Sequence, residues 1–180
     1  MYRIPAREEL LSQGDIFRGR FVFPFSDRLN EDFQIAHEDE TVPHSQVPNA
    51  WQNGSTEVVL LPSHSTELAI VLSNSCDAEN DEGKESLEFV TVGAIFPMEA
   101  IPNEDNRRNC RRNKIYRYHH LQAFPDAQLV ESYVHFGLVA LVDQETLTQT
   151  KEARIISMES PYRECLGHRF GEFFSRVAIP

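Results

Sequence analysis

The chain has 180 residues, 41% apolar and 25% charged, with 12 Phe, 5 Tyr and 1 Trp as core material; collagen-like, mucin-like and wholly disordered classes are excluded. Such a length suits one domain that buries about 70% of its unfolded surface. The net charge of −11 argues against a generic nucleic-acid coat, which draws its affinity from Lys and Arg. The charge is uneven: residues 1 to 106 carry 6 basic and 20 acidic side chains, residues 107 to 180 carry 11 and 8.

No run reaches the 18 or so apolar residues that span a membrane, and the start lacks the apolar stretch of a secretory signal. A cytoplasmic protein without membrane contact is expected. Cys76, Cys110 and Cys165 are an odd, widely spaced set that reads as reduced thiols rather than a disulfide framework.

Pro5 is placed to open a short helix over Ala6 to Gln13, with Gly14 as its left-handed stop. Asp15 to Phe25 then alternates Ile16, Arg18 and Arg20 against Phe17, Phe21, Phe23 and Phe25, the period of a strand. Residues 26 to 55, with Glu38-Asp39-Glu40, Pro43 and Pro48, read as a long acidic excursion with Val47 and Trp51 tucked back. Further strands are expected at Glu57 to Leu61, Leu68 to Ser73 and Leu87 to Phe96, with a turn at Pro62 to Ser65. Residues 98 to 113 read as a second long loop, Lys114 to Leu121 as a strand, and Leu129 to Val142 as one or two strands broken near Gly137. Asp143 to Thr148 suits a short helical turn. Residues 161 to 177 carry Tyr162, Cys165, Leu166, Phe170, Phe173, Phe174 and Val177 as an apolar stripe at helical spacing, with Ser160 as a cap. The expected architecture is a single mainly β (α+β) domain, an antiparallel barrel or bent sheet closed by a docked C-terminal helix.

Two stretches suggest chemistry. At Leu68 to Asp77 an apolar strand runs into a polar tip where a thiol, Cys76, stands beside a carboxylate, Asp77; these are the candidate catalytic residues. Against that role, Asp77 would raise the thiol pKa and no local motif supplies a His, so a buried Cys76 and a turn-capping Asp77 is the competing reading. The second stretch, 107 to 120, places six of the 17 basic residues within eleven positions and follows them with two Tyr. Arg107, Arg108, Arg111, Arg112, Lys114, Tyr116, Arg117 and Tyr118 are the candidate nucleic-acid-binding residues, since Arg grips phosphates and Tyr stacks on bases of single-stranded RNA or DNA. The alternative is that these cations pair with the acidic segments 31 to 40 or 77 to 88, or with an acidic protein partner. No Cys-x-x-Cys pairs, His-Glu-x-x-His, Gly-x-Gly-x-x-Gly or Gly-x-Ser-x-Gly occurs, so no metal and no cofactor is expected.

Gln13-Gly14-Asp15-Ile16, Ala69-Ile70-Val71-Leu72-Ser73-Asn74 and Glu88-Phe89-Val90-Thr91-Val92-Gly93-Ala94-Ile95 follow one another in an order that resembles the PemK/MazF-like family over residues 13 to 97. The resemblance implies a small SH3-like barrel, a homodimer and, in the toxins of that family, a metal-independent endoribonuclease held in check by an antitoxin in bacterial defence. The toxins carry an Arg before the Leu-Ser strand and a Thr at the end of the next; Thr66-Glu67 and Phe96 stand there in this chain. An acidic Glu67 repels phosphate. The function expected is therefore a non-catalytic binding or accessory module that contacts nucleic acid or a protein through 107 to 120, with a diverged endoribonuclease as the alternative.

Overall fold

Among the described residues ten strands arise in chain order: β1 (Tyr2–Arg3), β2 (Asp15–Pro24), β3 (Gln34–Ala36), β4 (Thr41–Pro43), β5 (Val58–Leu60), β6 (Ser63–Val71), β7 (Phe89–Pro97), β8 (Tyr118–Leu121), β9 (Ser132–Asp143) and β10 (Arg154–Met158). Among the same residues three α-helices join them: α1 (Glu104–Arg111), α2 (Gln144–Gln149) and α3 (Tyr162–Val177). This computed structural model describes residues 1–24, 34–36, 41–43, 58–60, 63–74 and 88–177. Val47, Trp51, Cys76 and Asp77 lie outside the described residues. Two compact units divide the chain, one of residues 1–21 with 65–180 and one of residues 22–64.

Seven strands form one curled sheet in the order β1-β10-β2-β6-β7-β9-β8, a half-barrel of mostly antiparallel pairs. A separate three-stranded sheet, β4-β3-β5, occupies part of the stretch expected to be an irregular excursion. The mainly β, small barrel-like α+β class read from the alternation is the class observed.

Ile16 and Phe17 are both buried at the start of β2, while Arg18, Gly19 and Arg20 are exposed, so alternation begins only after the strand leaves the core. The interruption at Gly137 is a bulge within one strand. Register passes from Gly93 opposite Val139 to Ala94 opposite His135, so Phe136, Gly137 and Leu138 have no partner on β7. That insertion turns Phe136 fully into the core, where Phe170 and Phe173 of α3 meet its ring at 5.5 and 6.0 Å. Leu166 is buried beside them, whereas Phe174, 43% exposed, meets Phe170 and Phe173 edge-on at the margin. Tyr162 and Cys165 are exposed, so the apolar stripe of α3 is narrower than its sequence. The Glu159 carbonyl accepts from the N–H groups of Tyr162 and Arg163 at the start of α3.

Three expectations are corrected. Residues 6 to 13 form no helix, because the carbonyls of Ala6, Glu9 and Leu10 accept hydrogen bonds from the Arg154 guanidinium at 3.0, 2.9 and 3.0 Å. Gly14 does turn left-handed, at φ +86°, and a Cβ there would lie 2.8 Å from that of Met158. Residues 98 to 113 are not a loop, since they hold a 3-10 turn (Met98–Ala100) and α1, a polar helix whose one buried residue is Cys110. Strand β8 begins at Tyr118 rather than Lys114, after a turn in which Asn113 has φ +53°.

The Asp15–Arg154 pair is the polar centre of the larger unit. Nη1 of Arg154 lies 2.9 Å from Oδ2 of Asp15, with side-chain exposures of 1% and 0%. Asp15 also accepts from the Ser157 hydroxyl and, at 2.9 Å, from the Ser12 N–H. Burial pushes the Asp15 pKa up, against the downward pull of these donors. Removing one member of such a pair costs about 3 to 5 kcal/mol because the other is left buried and uncompensated. Arg154→Met is expected to lose that much in denaturant unfolding. Arg154→Met with Asp15→Leu is expected to recover only part of it, because three carbonyls still lose their donor. In the same assay Phe136→Ala should cost about 3 to 5 kcal/mol.

Candidate functional site

The basic stretch 107 to 120 divides into two parts with different electrostatics. Helix α1 begins where Oδ1 of Asn103 accepts from the N–H groups of Asp105 and Asn106 at 2.8 and 3.3 Å. Glu104 and Asp105 then sit in the first turn, Arg108 and Arg111 in the last, each sign at the end the helix dipole favours. Arg107 pairs with Glu104 at 2.8 Å and Arg108 with Asp105. Arg111 grips Glu131 through Nε and Nη2 at 2.9 and 3.0 Å and reaches Glu104 at 3.1 Å. Glu131 also meets Nε2 of His120 at 2.9 Å. The hydrogen bond from Arg111 leads the causes that hold the Glu131 carboxyl below its ordinary range. Three of the candidate arginines are thus engaged by carboxylates of the same unit, and those carboxylates lie outside the acidic segments expected to supply them.

Beyond the helix the cations are presented differently. Arg112, Lys114 and Arg117 are exposed. Arg169 of α3 braces their turn by donating to the carbonyls of Asn113, Ile115 and Tyr118 at 3.0, 3.2 and 2.8 Å. The Tyr116 ring, 50% exposed, stacks on Phe173 at 5.8 Å with 23° between planes, and the Arg117 guanidinium carbon lies 5.7 Å from the Tyr116 centroid. Lys114 and Tyr116 border a small cleft of about 180 Å³. Tyr118 is half-buried against Tyr133 and His135, at 4.7 and 5.1 Å between rings, so it serves packing.

A groove opens on the curled sheet. The β6–β7 ladder registers Ala69 to Val71 with Val92 to Ala94. Beyond Ala69 and Ala94 lies a cavity of about 450 Å³ whose lining includes the apolar Leu68, Ile95, Phe96, Pro97 and Val130 and the polar or charged Arg18, Ser65, Thr66 and Glu67. Glu67 and Phe96 both line this groove. Arg18 supplies a cation there from β2, held by Oε1 of Gln128 at 3.0 Å and by the carbonyls of Ala127 and Gln128 at 3.0 and 3.4 Å. Sequence reasoning placed Arg18 on a polar strand face and stopped there.

Of the remaining candidates, Cys76 and Asp77 lie outside the described residues. Cys110 is buried, and burial pushes its thiol pKa up to about 11, the state of an unreactive packing residue. Cys165 is exposed. Among the described residues no three His, Cys, Asp or Glu side chains converge as metal ligands would, and no helix is long and apolar enough to cross a membrane. No family model, curated protein or solved structure matches this chain.

His119 of β8 is buried, and its Nδ1 finds no hydrogen-bond partner. Burial, with smaller contributions from Arg169 and His120, drives its pKa down to about 3. An unfolded chain binds a proton at this residue near pH 6.5, the folded one only near 3. The stability contributed by neutral His119 is therefore present above pH 6.5 and is lost as pH falls toward 3, at up to about 1.4 kcal/mol per pH unit. Denaturant unfolding from pH 7 to pH 5 should show this loss in the wild type, and His119→Leu should flatten it.

Proposed function

We propose that this chain is a binding module that holds single-stranded RNA or DNA through the turn between α1 and β8. One observation carries the reading: Lys114 and Arg117 flank a half-exposed Tyr116 whose ring is stacked on Phe173, on a turn braced by three hydrogen bonds from Arg169 and opened by the exposed Arg112. Exposed cations beside an aromatic platform suit a single strand, because cations follow the phosphates while any base can stack on the ring. Bracing supports affinity by lowering the ordering cost of binding.

This reading revises the candidate set. Arg107, Arg108 and Arg111 lie beside Glu104, Asp105 and Glu131, so a phosphate approaching them meets guanidinium and carboxylate together. Lys114, Tyr116 and Arg117, with Arg112, become the contact residues. Tyr118 becomes a packing residue. A ribonuclease of the PemK/MazF type is disfavoured by Glu67, which places a negative charge at the groove where developing phosphate charge would need a cation.

Binding to a single-stranded RNA oligonucleotide, followed from 50 to 200 mM salt, tests the division. Replacing Arg112, Lys114 and Arg117 together with Ala should weaken binding and reduce the slope of log K against log salt by about 2, at roughly 0.7 per phosphate contact. Replacing Arg107, Arg108 and Arg111 should leave the slope nearly unchanged. Equal slopes for wild type and the first triple variant would refute the assignment. RNA incubated with chelator-treated protein is expected to stay intact on a denaturing gel.

A further inference from the structure

We propose that the groove beyond the β6–β7 ladder binds a small amphipathic monoanion, a free carboxylic acid with an aliphatic or aromatic body. The site is separate from the basic turn and does not depend on it. A volume of about 450 Å³ suits a small molecule, and the lining has the composition such sites share, an apolar surface with a few placed polar groups. Leu68, Ile95, Phe96, Pro97 and Val130 supply the apolar surface. Val130 is 57% exposed, an apolar cost to the free protein that a bound hydrocarbon would relieve.

Arg18 decides the head group. The bonds to Ala127 and Gln128 fix its guanidinium and use three of its five N–H groups, so two remain for a ligand. Gln128 itself is held in the left-handed conformation, at φ +54°, next to a 3-10 turn (Pro125–Ala127). A guanidinium whose orientation is already set loses little entropy on meeting a carboxylate and forms a charge-assisted hydrogen bond.

Glu67 decides the charge. Glu67 lines the same groove, and Arg18, Arg20 and Glu67 line the adjoining cleft, so among the described residues the charged side chains there carry one excess positive charge. One negative charge is matched there, and a second would face Glu67 without a counter-charge. A monocarboxylate is therefore preferred over a phosphate ester or a polyanion, which separates this site chemically from the basic turn.

The experiment uses the fluorescent probe anilinonaphthalene sulfonate, an apolar monoanion, with octanoate and octanamide as competitors. The wild type should bind one probe saturably. Octanoate should displace it at a concentration about tenfold or more below octanamide, because the amide lacks the charge that Arg18 engages. Arg18→Gln should remove that preference at unchanged melting temperature, Glu67→Gln should tighten octanoate, and Val130→Glu should abolish displacement by placing a carboxylate on the apolar side. The triple variant at Arg112, Lys114 and Arg117 should leave octanoate binding unchanged, which keeps failure here distinct from failure of the nucleic-acid reading. Non-saturable probe binding, equal displacement by acid and amide, or an unaltered preference in Arg18→Gln would each overturn the proposal.

Discussion

Asp15 and Arg154 are 139 positions apart, yet they meet in a buried ion pair inside the larger unit. The guanidinium meets the carboxylate of β2 and gathers three carbonyls from residues 6 to 10, while the carboxylate takes donors from Ser12 and Ser157. A buried guanidinium is costly unless nearly all its donors are used. This requirement fixes where β10 lies, because Arg154 reaches Asp15 only when β10 pairs with β2. It also explains the irregular N-terminal segment. Backbone carbonyls that would otherwise close a helical turn are committed to a side chain, and the segment links β1 on one edge of β10 to β2 on the other. Opening of the half-barrel at that edge is opposed by this one ionic centre.

At the other end of the sheet, irregularity in strand pairing makes the two surfaces proposed to bind ligands. The bulge at 136 to 138 sends Phe136 inward, and α3 docks on that ring through Phe170 and Phe173. Docking brings Arg169 under the turn 113 to 118 and Phe173 against Tyr116. Where the β6–β7 ladder stops, the sheet opens instead into a groove that Arg18 reaches from β2. Both surfaces thus follow from a departure from ideal pairing, and each is stiffened by an arginine that donates to backbone carbonyls.

The legible parts of the fold were those whose own periodicity decides their structure. Alternation marked β2, apolar stretches marked β7 and β9, and the 3.6-residue stripe of Leu166, Phe170 and Phe173 marked α3 over the range observed. Strand β10 escaped because a charged residue opens it at a buried position, where alternation predicts an apolar one. Helix α1 escaped because i,i+3 ion pairs and an Asn cap hold it rather than an apolar stripe, so its composition resembles that of a solvated loop. The basic stretch was visible as composition, but the partner of Arg111 was not, since Glu131 comes from the turn before β9. Arg18 was hidden for the same reason: its groove is assembled from β2, β6, β7 and residues 127 to 132, and no local window contains it.

The placement of carboxylates explains how a chain of net charge −11 can present a small cationic surface. If every basic residue between 107 and 117 were free, the segment would attract any polyanion through a broad field, screened by salt beyond about 10 Å. Glu104, Asp105 and Glu131 instead pair the helical arginines, and charge pairs so close are nearly neutral at a distance. Arg112, Lys114 and Arg117 retain their charge where Tyr116 is also available. On the proposed reading, attraction is confined to a surface a few side chains wide, where a ligand must match cation and ring together. In the groove and its adjoining cleft, Glu67 would do the same to Arg18 and Arg20, restricting the proposed match to a single negative charge. In both proposed sites a nearby carboxylate would supply discrimination by making the wrong ligand unfavourable.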